Sequence, residues 1–292
     1  MLPVPDPIFP AEVDAARFET MCQWLRTWYN VLPLDEAVSR LKSQALPERA
    51  CAITFDDGYA DNHNVALPIL KRHGLPATFF IATGFLDGGR MWNDTVIESV
   101  RNSPLAVLDL SELLGPGFES VRVATSTEKA AAVEAIINRI KYQPVAERVS
   151  LVNQIAAQAR AELPADLMMT SAQVLAMHRA GMQIGAHTVS HPILARLQAQ
   201  EARAEIAESK RFLEALLDQR VSLFAYPNGK PTADYSTESV AIARDLGFDA
   251  AVSTEWGAAR SETDLFQIPR FTPWDRAKLR FGARMAANLL RA

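Results

Sequence analysis

Between Ala52 and Ala82 the chain reads as strand, helix and strand, joined by links of only a few residues. Ala52-Ile53-Thr54-Phe55 is a short apolar run. Asn64 to His73 predicts a helix that Gly74 stops, and Ala77-Thr78-Phe79-Phe80-Ile81-Ala82 is apolar almost throughout. An apolar run without alternation suits a strand covered on both faces, as in parallel sheets. A helix between two such strands predicts a parallel βαβ unit. The same alternation returns downstream. A helix capped at Thr170 or Ser171 and stopped by Gly181 precedes Met182-Gln183-Ile184-Gly185-Ala186, and a charged, exposed helix from Glu201 to Leu217 precedes Ser222–Tyr226. A helix over Thr237–Leu246 precedes Ala250–Ser253, and Phe266–Pro269 predicts a late strand. A length of 292 residues would allow two domains, but a single α/β barrel also reaches this size.

The remaining segments fit around that alternation. Residues 1–15 are Pro-rich and extended, Ala15 to Trp28 has amphipathic spacing, and Val31–Leu34 is a short strand or turn. Asp35 is expected to cap a helix from Glu36 to Leu41. Three helices, Met91–Arg101, Ser126–Lys141 and Pro144–Leu163, fall outside the strand–helix alternation, so 91–165 reads as a mostly helical insertion. A last helix is expected from about Asp275 to Leu290.

Two acidic residues, Asp56 and Asp57, stand where the first strand stops, followed by Gly58. Neighbouring strand residues point to opposite faces, so both carboxylates reach one pocket only if the chain turns there. Two adjacent anions are costly unless a proton or cation separates them. That favours a division of labour in which one holds a metal and the other serves as a base. An Asp-Asp-Gly turn leading into the next helix is the plainer alternative. Downstream, His187 and His191 follow a strand directly, in a chain with 5 His. A helical turn would place both imidazoles on one side. Two imidazoles and a carboxylate suit Zn²⁺ or a similar divalent ion and leave positions open for catalysis.

Hydrophobic residues at 49% and charged residues at 22% are ordinary for a globular core, and a net charge of −4 without a basic run argues against nucleic acid. Cys22 and Cys51 have no metal-type spacing, and Cys51 is expected to be buried at the start of a strand. No stretch approaches the ~20 apolar residues of a membrane span. Met1–Pro5 lacks the features of a signal peptide, so the chain as given reads as cytoplasmic.

Taken together, Thr54-Phe55-Asp56-Asp57-Gly58, Pro76-Ala77-Thr78-Phe79-Phe80, His187-Thr188-Val189-Ser190-His191 and Phe224-Ala225-Tyr226-Pro227-Asn228-Gly229 resemble the polysaccharide deacetylases of NodB-homology type, carbohydrate esterase family 4. The resemblance covers roughly residues 50–272 and implies a distorted (β/α)₇-type barrel with a metal at its strand ends. It also implies one polysaccharide deacetylase domain over the whole chain, 1–292. Residue by residue, it implies Asp57, His187 and His191 as ligands of a divalent ion, Zn²⁺ foremost, with Co²⁺, Ni²⁺ or Mn²⁺ as alternatives. Asp56 would be the general base, the Tyr226 backbone N–H an oxyanion donor, and Arg270 the group that orients the base. The expected activity is removal of N-acetyl groups from an amino-sugar glycan, as in bacterial exopolysaccharide synthesis. Alternatives are hydrolysis of another N-acyl sugar, such as a lipid-linked formamido sugar, or of a cyclic amide, and a sugar-binding module without catalysis.

Two features depart from the family pattern. Members begin with a strand ending in a Tyr-His-Arg-like segment, and here Met1 falls where that segment would end, so the first strand is expected to be missing. No His follows His191, so the family's late catalytic His has no counterpart. The glycan, the general acid and the oligomeric state are left open.

Overall fold

The computed structural model describes residues 3–272 and 275–290. Among these, the strands are β1 (Asn30–Val31), β2 (Ala50–Cys51), β3 (Thr54–Phe55), β4 (Thr78–Ile81), β5 (Val107–Leu108), β6 (Val121–Arg122), β7 (Gln183–Ala186), β8 (Leu223–Ala225) and β9 (Ala250–Val252). The helices are α1 (Ala15–Trp28), α2 (Leu34–Lys42), α3 (Leu67–His73), α4 (Trp92–Asn102), α5 (Ser111–Leu114), α6 (Ser126–Ile140), α7 (Val145–Gln158), α8 (Ser171–Arg179), α9 (Ala199–Leu217), α10 (Thr237–Asp245) and α11 (Lys278–Leu289). The chain forms two compact units, one mainly 13–87 with 168–292, the other 5–12 with 88–167.

The first unit is built on a parallel sheet of five strands in the order β3-β4-β7-β8-β9. The alternation read in the sequence therefore gives a mixed α/β fold whose five parallel strands form a curled half-barrel, consistent with the distorted (β/α)₇-type barrel expected from the resemblance. β4 is buried along its whole length. Phe79 and Ile81 join the cluster that packs under the helices, with Leu70, Met177, Ile206 and Leu213. Phe80, between them, faces the other side with Leu223, Ala225, Val252 and Ile268, and Leu34 and Val38 of α2 cover that side. Period-two alternation thus divides a uniformly apolar strand between two cores.

Several boundaries differ from the sequence reading for local reasons. The expected strand Ala52–Phe55 splits. Cys51 pairs with Val31 in a separate parallel ladder, whereas Thr54 pairs with Thr78, so the chain changes partners over Ala52 and Ile53. Cys51 is accordingly only half-buried. The helix of 64–73 opens with a π-turn, Asn62–Ala66. Pro68 explains it, because proline cannot donate to the carbonyl four residues back and crowds it. α2 starts at Leu34 after Pro33, so Asp35 lies in the first turn rather than capping it, where its charge still suits the helix dipole. α7 ends at Gln158, short of Leu163, and Arg160 then takes a left-handed conformation, φ 52°. Phe266–Pro269 contributes a single bridge, Val252 to Ile268, instead of a strand. Proline at 269 has no N–H to extend a ladder. α9 is not exposed all round: Ala202, Ile206, Ser209 and Leu213 form a buried face.

The second unit has its own core of Val96, Val100, Ile136, Ile140, Val152 and Ile155, contributed by α4, α6 and α7, with β5 and β6 as an antiparallel pair beside them. Arg101 holds Asp6 through two hydrogen bonds of 3.1 and 2.7 Å.

Candidate metal and carboxylate site

Asp56, Asp57, His187, His191 and Arg270 come together at the carboxyl ends of β3 and β7. Phe55 ends β3, and Asp56 and Asp57 follow at once. The Gly58 N–H donates to the Asp56 carbonyl at 3.0 Å around Asp57, whose φ is 78°. This is a γ-turn with positive φ, a strained conformation that aspartate tolerates better than most residues. It is what lets two successive carboxylates serve one site. Gly58 continues it at φ 89°, and a Cβ there would meet Ile81 Cγ2 at 3.3 Å. The turn is pinned on both sides: Ala82 N–H donates to the Asp57 carbonyl at 3.2 Å, and Met169 N–H to the Gly58 carbonyl at 2.9 Å.

His187 follows β7 and is buried, with 1% exposure. The expected helical turn from His187 to His191 does not form: 187–191 is irregular. Thr188 and His191 adopt left-handed backbone, φ 66° and 53°, and this pair of reversals brings the rings together, with centroids 4.9 Å apart. The Thr188 hydroxyl accepts from the His191 N–H at 3.1 Å. The loop also lies against the end of β4, where Thr83 and Gly84 N–H groups donate to the Thr188 and Val189 carbonyls at 3.1 and 2.9 Å. Gly84 is required for this approach, because a Cβ would sit 2.8 Å from the Val189 oxygen.

Asp57 Oδ1 lies 3.3 Å from His187 Nε2 and 3.4 Å from His191 Nε2. One ligand atom from each of the three falls within 4.8 Å of the others, a grouping that could hold a metal ion. The donor chemistry fits a cation. His187 Nδ1 is 2.7 Å from the Ala225 carbonyl, which can only accept, so this nitrogen carries a proton. A neutral His187 then turns an unprotonated Nε2 toward a carboxylate oxygen, an arrangement that a cation or an extra proton must relieve. The two imidazoles also diverge in basicity. Burial would lower His187, but the hydrogen bond to Asp57 and the charges of Asp56 and Asp57 raise it above its ordinary value. Burial and the neighbouring His187 lower His191 to about 4.

Asp56 has a different partner. Arg270 holds it with two hydrogen bonds of 2.7 Å, Nη1 to Oδ1 and Nη2 to Oδ2. The same guanidinium donates to the Ser253 carbonyl at 2.8 Å and to Thr54 Oγ1 at 3.2 Å, and lies over the Phe80 ring. Burial would raise the Asp56 carboxyl, but Arg270, by charge and hydrogen bonds, with His187 and His191 beyond, brings it down to about 2. The site therefore pairs one carboxylate with the imidazoles and one with a guanidinium.

Tyr226 follows β8 directly and has partners of its own. Its backbone N–H donates to the Val252 carbonyl at 3.2 Å, its hydroxyl to the Phe266 carbonyl at 2.9 Å, and its ring stacks on Tyr235. The other three histidines have different surroundings: His63 bonds Asn64 Oδ1, His73 bonds Glu19, and His178 lines a cavity with Asp35, Gly181 and Gln183 where β7 begins. Sequence reasoning missed Gly84 and Glu205. Glu205 accepts hydrogen bonds from the loop between the histidines, yet a glutamate on a charged helix gives no signal of that in the sequence.

The family model described as polysaccharide deacetylase matches residues 43–107 and 134–251. The chain belongs to the polysaccharide deacetylase family. Within this family it is similar to YxkH of Bacillus subtilis, 23% identical over 260 residues, which cover 88% of this chain and 64% of that one. Over 73 residues it is 37% identical to a poly-beta-1,6-N-acetyl-D-glucosamine N-deacetylase of Staphylococcus aureus, covering 25% of each chain. The chain thus spans less than two thirds of the length of either relative. Among solved structures, the Streptococcus pyogenes deacetylase PplD in complex with acetate matches with a TM-score of 0.60 at 23% identity, covering 92% of this polysaccharide deacetylase family member and 86% of PplD. IcaB from Ammonifex degensii also reaches 0.60, at 18% identity, covering 96% and 93%. Both show the shared fold. No described helix is long and apolar enough to cross a membrane.

Proposed function

We propose that this chain hydrolyses N-acetyl groups on an amino-sugar glycan, acting as one deacetylase domain over its whole length. The observation that carries the reading is the split of two adjacent aspartates, Asp57 toward His187 and His191, and Asp56 onto Arg270. A pure sugar binder has no need of that pair. Asp57, His187 and His191 would hold a divalent ion, Zn²⁺ foremost, with Co²⁺, Ni²⁺ or Mn²⁺ as substitutes. Such an ion supplies Lewis acidity toward the amide carbonyl and acidifies water.

The chain's own groups do the rest. Asp56, kept ionised by Arg270, takes the proton of the attacking water. Arg270 fixes the carboxylate plane through its paired hydrogen bonds, which restricts where that proton can be accepted. The Ala225 carbonyl fixes the His187 tautomer, and so the nitrogen presented to a ligand. Tyr226 could serve an oxyanion only if its N–H shifts from the 3.2 Å bond to Val252. Protonated Asp56 returns the proton to the leaving nitrogen. The products are a free amine and acetate.

The staphylococcal relative favours a β-1,6-linked N-acetylglucosamine polymer as substrate. Acetate release from such oligomers, with chitooligosaccharides alongside, tests both the activity and the linkage. Metal-loaded protein that releases acetate from neither, nor from any other N-acylated glycan, would remove the catalytic reading in favour of a binding module.

A further inference from the structure

Glu205 lies on α9, 14 positions past His191, yet its carboxylate closes on the loop between the two histidines. Oε2 accepts from the Val189 N–H at 2.9 Å and from the Ser190 N–H at 2.8 Å. Oε1 accepts from the Ser190 hydroxyl at 2.6 Å. One side chain therefore satisfies two successive backbone donors and a hydroxyl on the segment joining His187 to His191. Charge-assisted bonds of this kind are about twice as strong as neutral ones.

The loop has reason to need them. Thr188 and His191 both sit in left-handed backbone, which non-glycine residues adopt at a cost. On its other side, Thr83 and Gly84 hold the Thr188 and Val189 carbonyls. The donors of 189 and 190 would otherwise turn to water, leaving the His187–His191 spacing to one-sided contacts. α9 is a firm base for the second side, because Ala202, Ile206 and Ser209, flanking Glu205, are buried.

We propose that Glu205 is a positioning residue for the metal site: it sets the separation and aim of the two imidazoles. The inference rests on the reading of Asp57, His187 and His191 as ligands. It would explain how a ligand pair four residues apart is preorganised without a helix. Conserving charge is not the requirement. A glutamine could keep one oxygen toward both amides and let its amide group donate to the Ser190 oxygen, whereas an alanine keeps nothing.

The test measures Zn²⁺ and Co²⁺ affinity of metal-stripped protein by chelator competition, together with the visible spectrum of the Co²⁺ form. Amide exchange of 188–191 is followed in the metal-free state. Glu205→Ala is expected to weaken binding by about 10- to 100-fold, the usual effect of losing a partner behind a ligand. It should also alter the Co²⁺ spectrum and speed exchange at Val189 and Ser190. Glu205→Gln should stay within a few-fold of wild type on all three. Wild-type affinity, spectrum and exchange in Glu205→Ala would overturn the inference while leaving the metal reading intact. Wild-type protein that binds neither ion would fell the metal reading and this inference together. Equal losses in the Gln and Ala variants, with loop exchange unchanged in both, would assign the effect to charge and refute positioning. Should the Ala variant not fold, Glu205→Asp, one methylene shorter, takes its place, and wild-type behaviour there would count against the inference in the same way.

Discussion

Arg270 grips both oxygens of Asp56 at 2.7 Å while bonding Thr54 in β3 and the Ser253 carbonyl just past β9, the two edge strands of the sheet order. One guanidinium thus fixes the ionisation of a carboxylate and ties the first strand of the curl to the last. The bidentate fork is available to arginine and not to lysine.

Removing that fork should move the pH profile. The folded Asp56 carboxyl sits near 2, below its ordinary value, so its ionised form persists far into acid. In Arg270→Ala the lowering charge is gone while burial remains, so the carboxyl rises and becomes protonated at higher pH. The acidic limb of kcat/KM should therefore shift upward, with a smaller loss at neutral pH. Arg270→Lys should fall between the two. A pH–rate series checks this, and an unmoved limb would leave Arg270 as a structural tie alone.

Asp56→Asn separates base from ligand. It should bind a divalent ion as wild type does and lose about 10²–10⁴ in kcat, the contribution expected of a general base. Turnover and metal content measured on one preparation decide it. Near-normal turnover would take Asp56 out of the mechanism.

Metal binding should itself depend on pH. His187 is raised above the ordinary imidazole range of ~6.5, so a proton competes with the ion as pH falls toward and through that range. His191, lowered to about 4, stays neutral there. Affinity for Zn²⁺ should accordingly weaken across that window, and His187→Ala should lose the ion while keeping the fold. Isothermal titration over a pH series, with circular dichroism of the variant, provides the check. Full metal occupancy in His187→Ala would show the ligand assignment to be wrong.

Gly84→Ala should disturb the histidine loop without touching a ligand. Its Cβ would lie 2.8 Å from the Val189 carbonyl oxygen, so backbone must move. A cost of about 1–3 kcal/mol is expected from such overpacking. Thermal unfolding and metal affinity should both fall. A variant with wild-type values for both would mean the loop can retreat freely.

His63→Ala, His73→Ala and His178→Ala should each keep catalysis within about tenfold, below the ~10²–10⁴ of an acid–base group. Their partners are Asn64, Glu19 and the pocket where β7 starts, the end of that strand opposite His187. A thousandfold loss in one of them, with metal retained, would identify a proton donor that Asp56 does not replace.

The parallel α/β sheet and the residues Asp56, Asp57, His187 and His191 were legible in the sequence because their signals are local, whereas Arg270 was reached only through the family resemblance. An unbroken apolar strand such as Thr78–Ile81 reports burial on both faces, and a chemical group at a strand end reports itself. How those groups meet depends on contacts between segments far apart in the chain. The γ-turn at Asp57 and the left-handed residues at Thr188 and His191 replace the helical turn that a four-residue spacing suggested. Spacing carries no record of positive φ in non-glycine residues, since such conformations survive only where packing and hydrogen bonds from distant segments impose them. The same holds for Glu205, for the Tyr226 N–H taken up by Val252, and for the strand 52–55 that changes partners midway. Each depends on which segment lies alongside, and that is settled when the sheet curls and its helices pack.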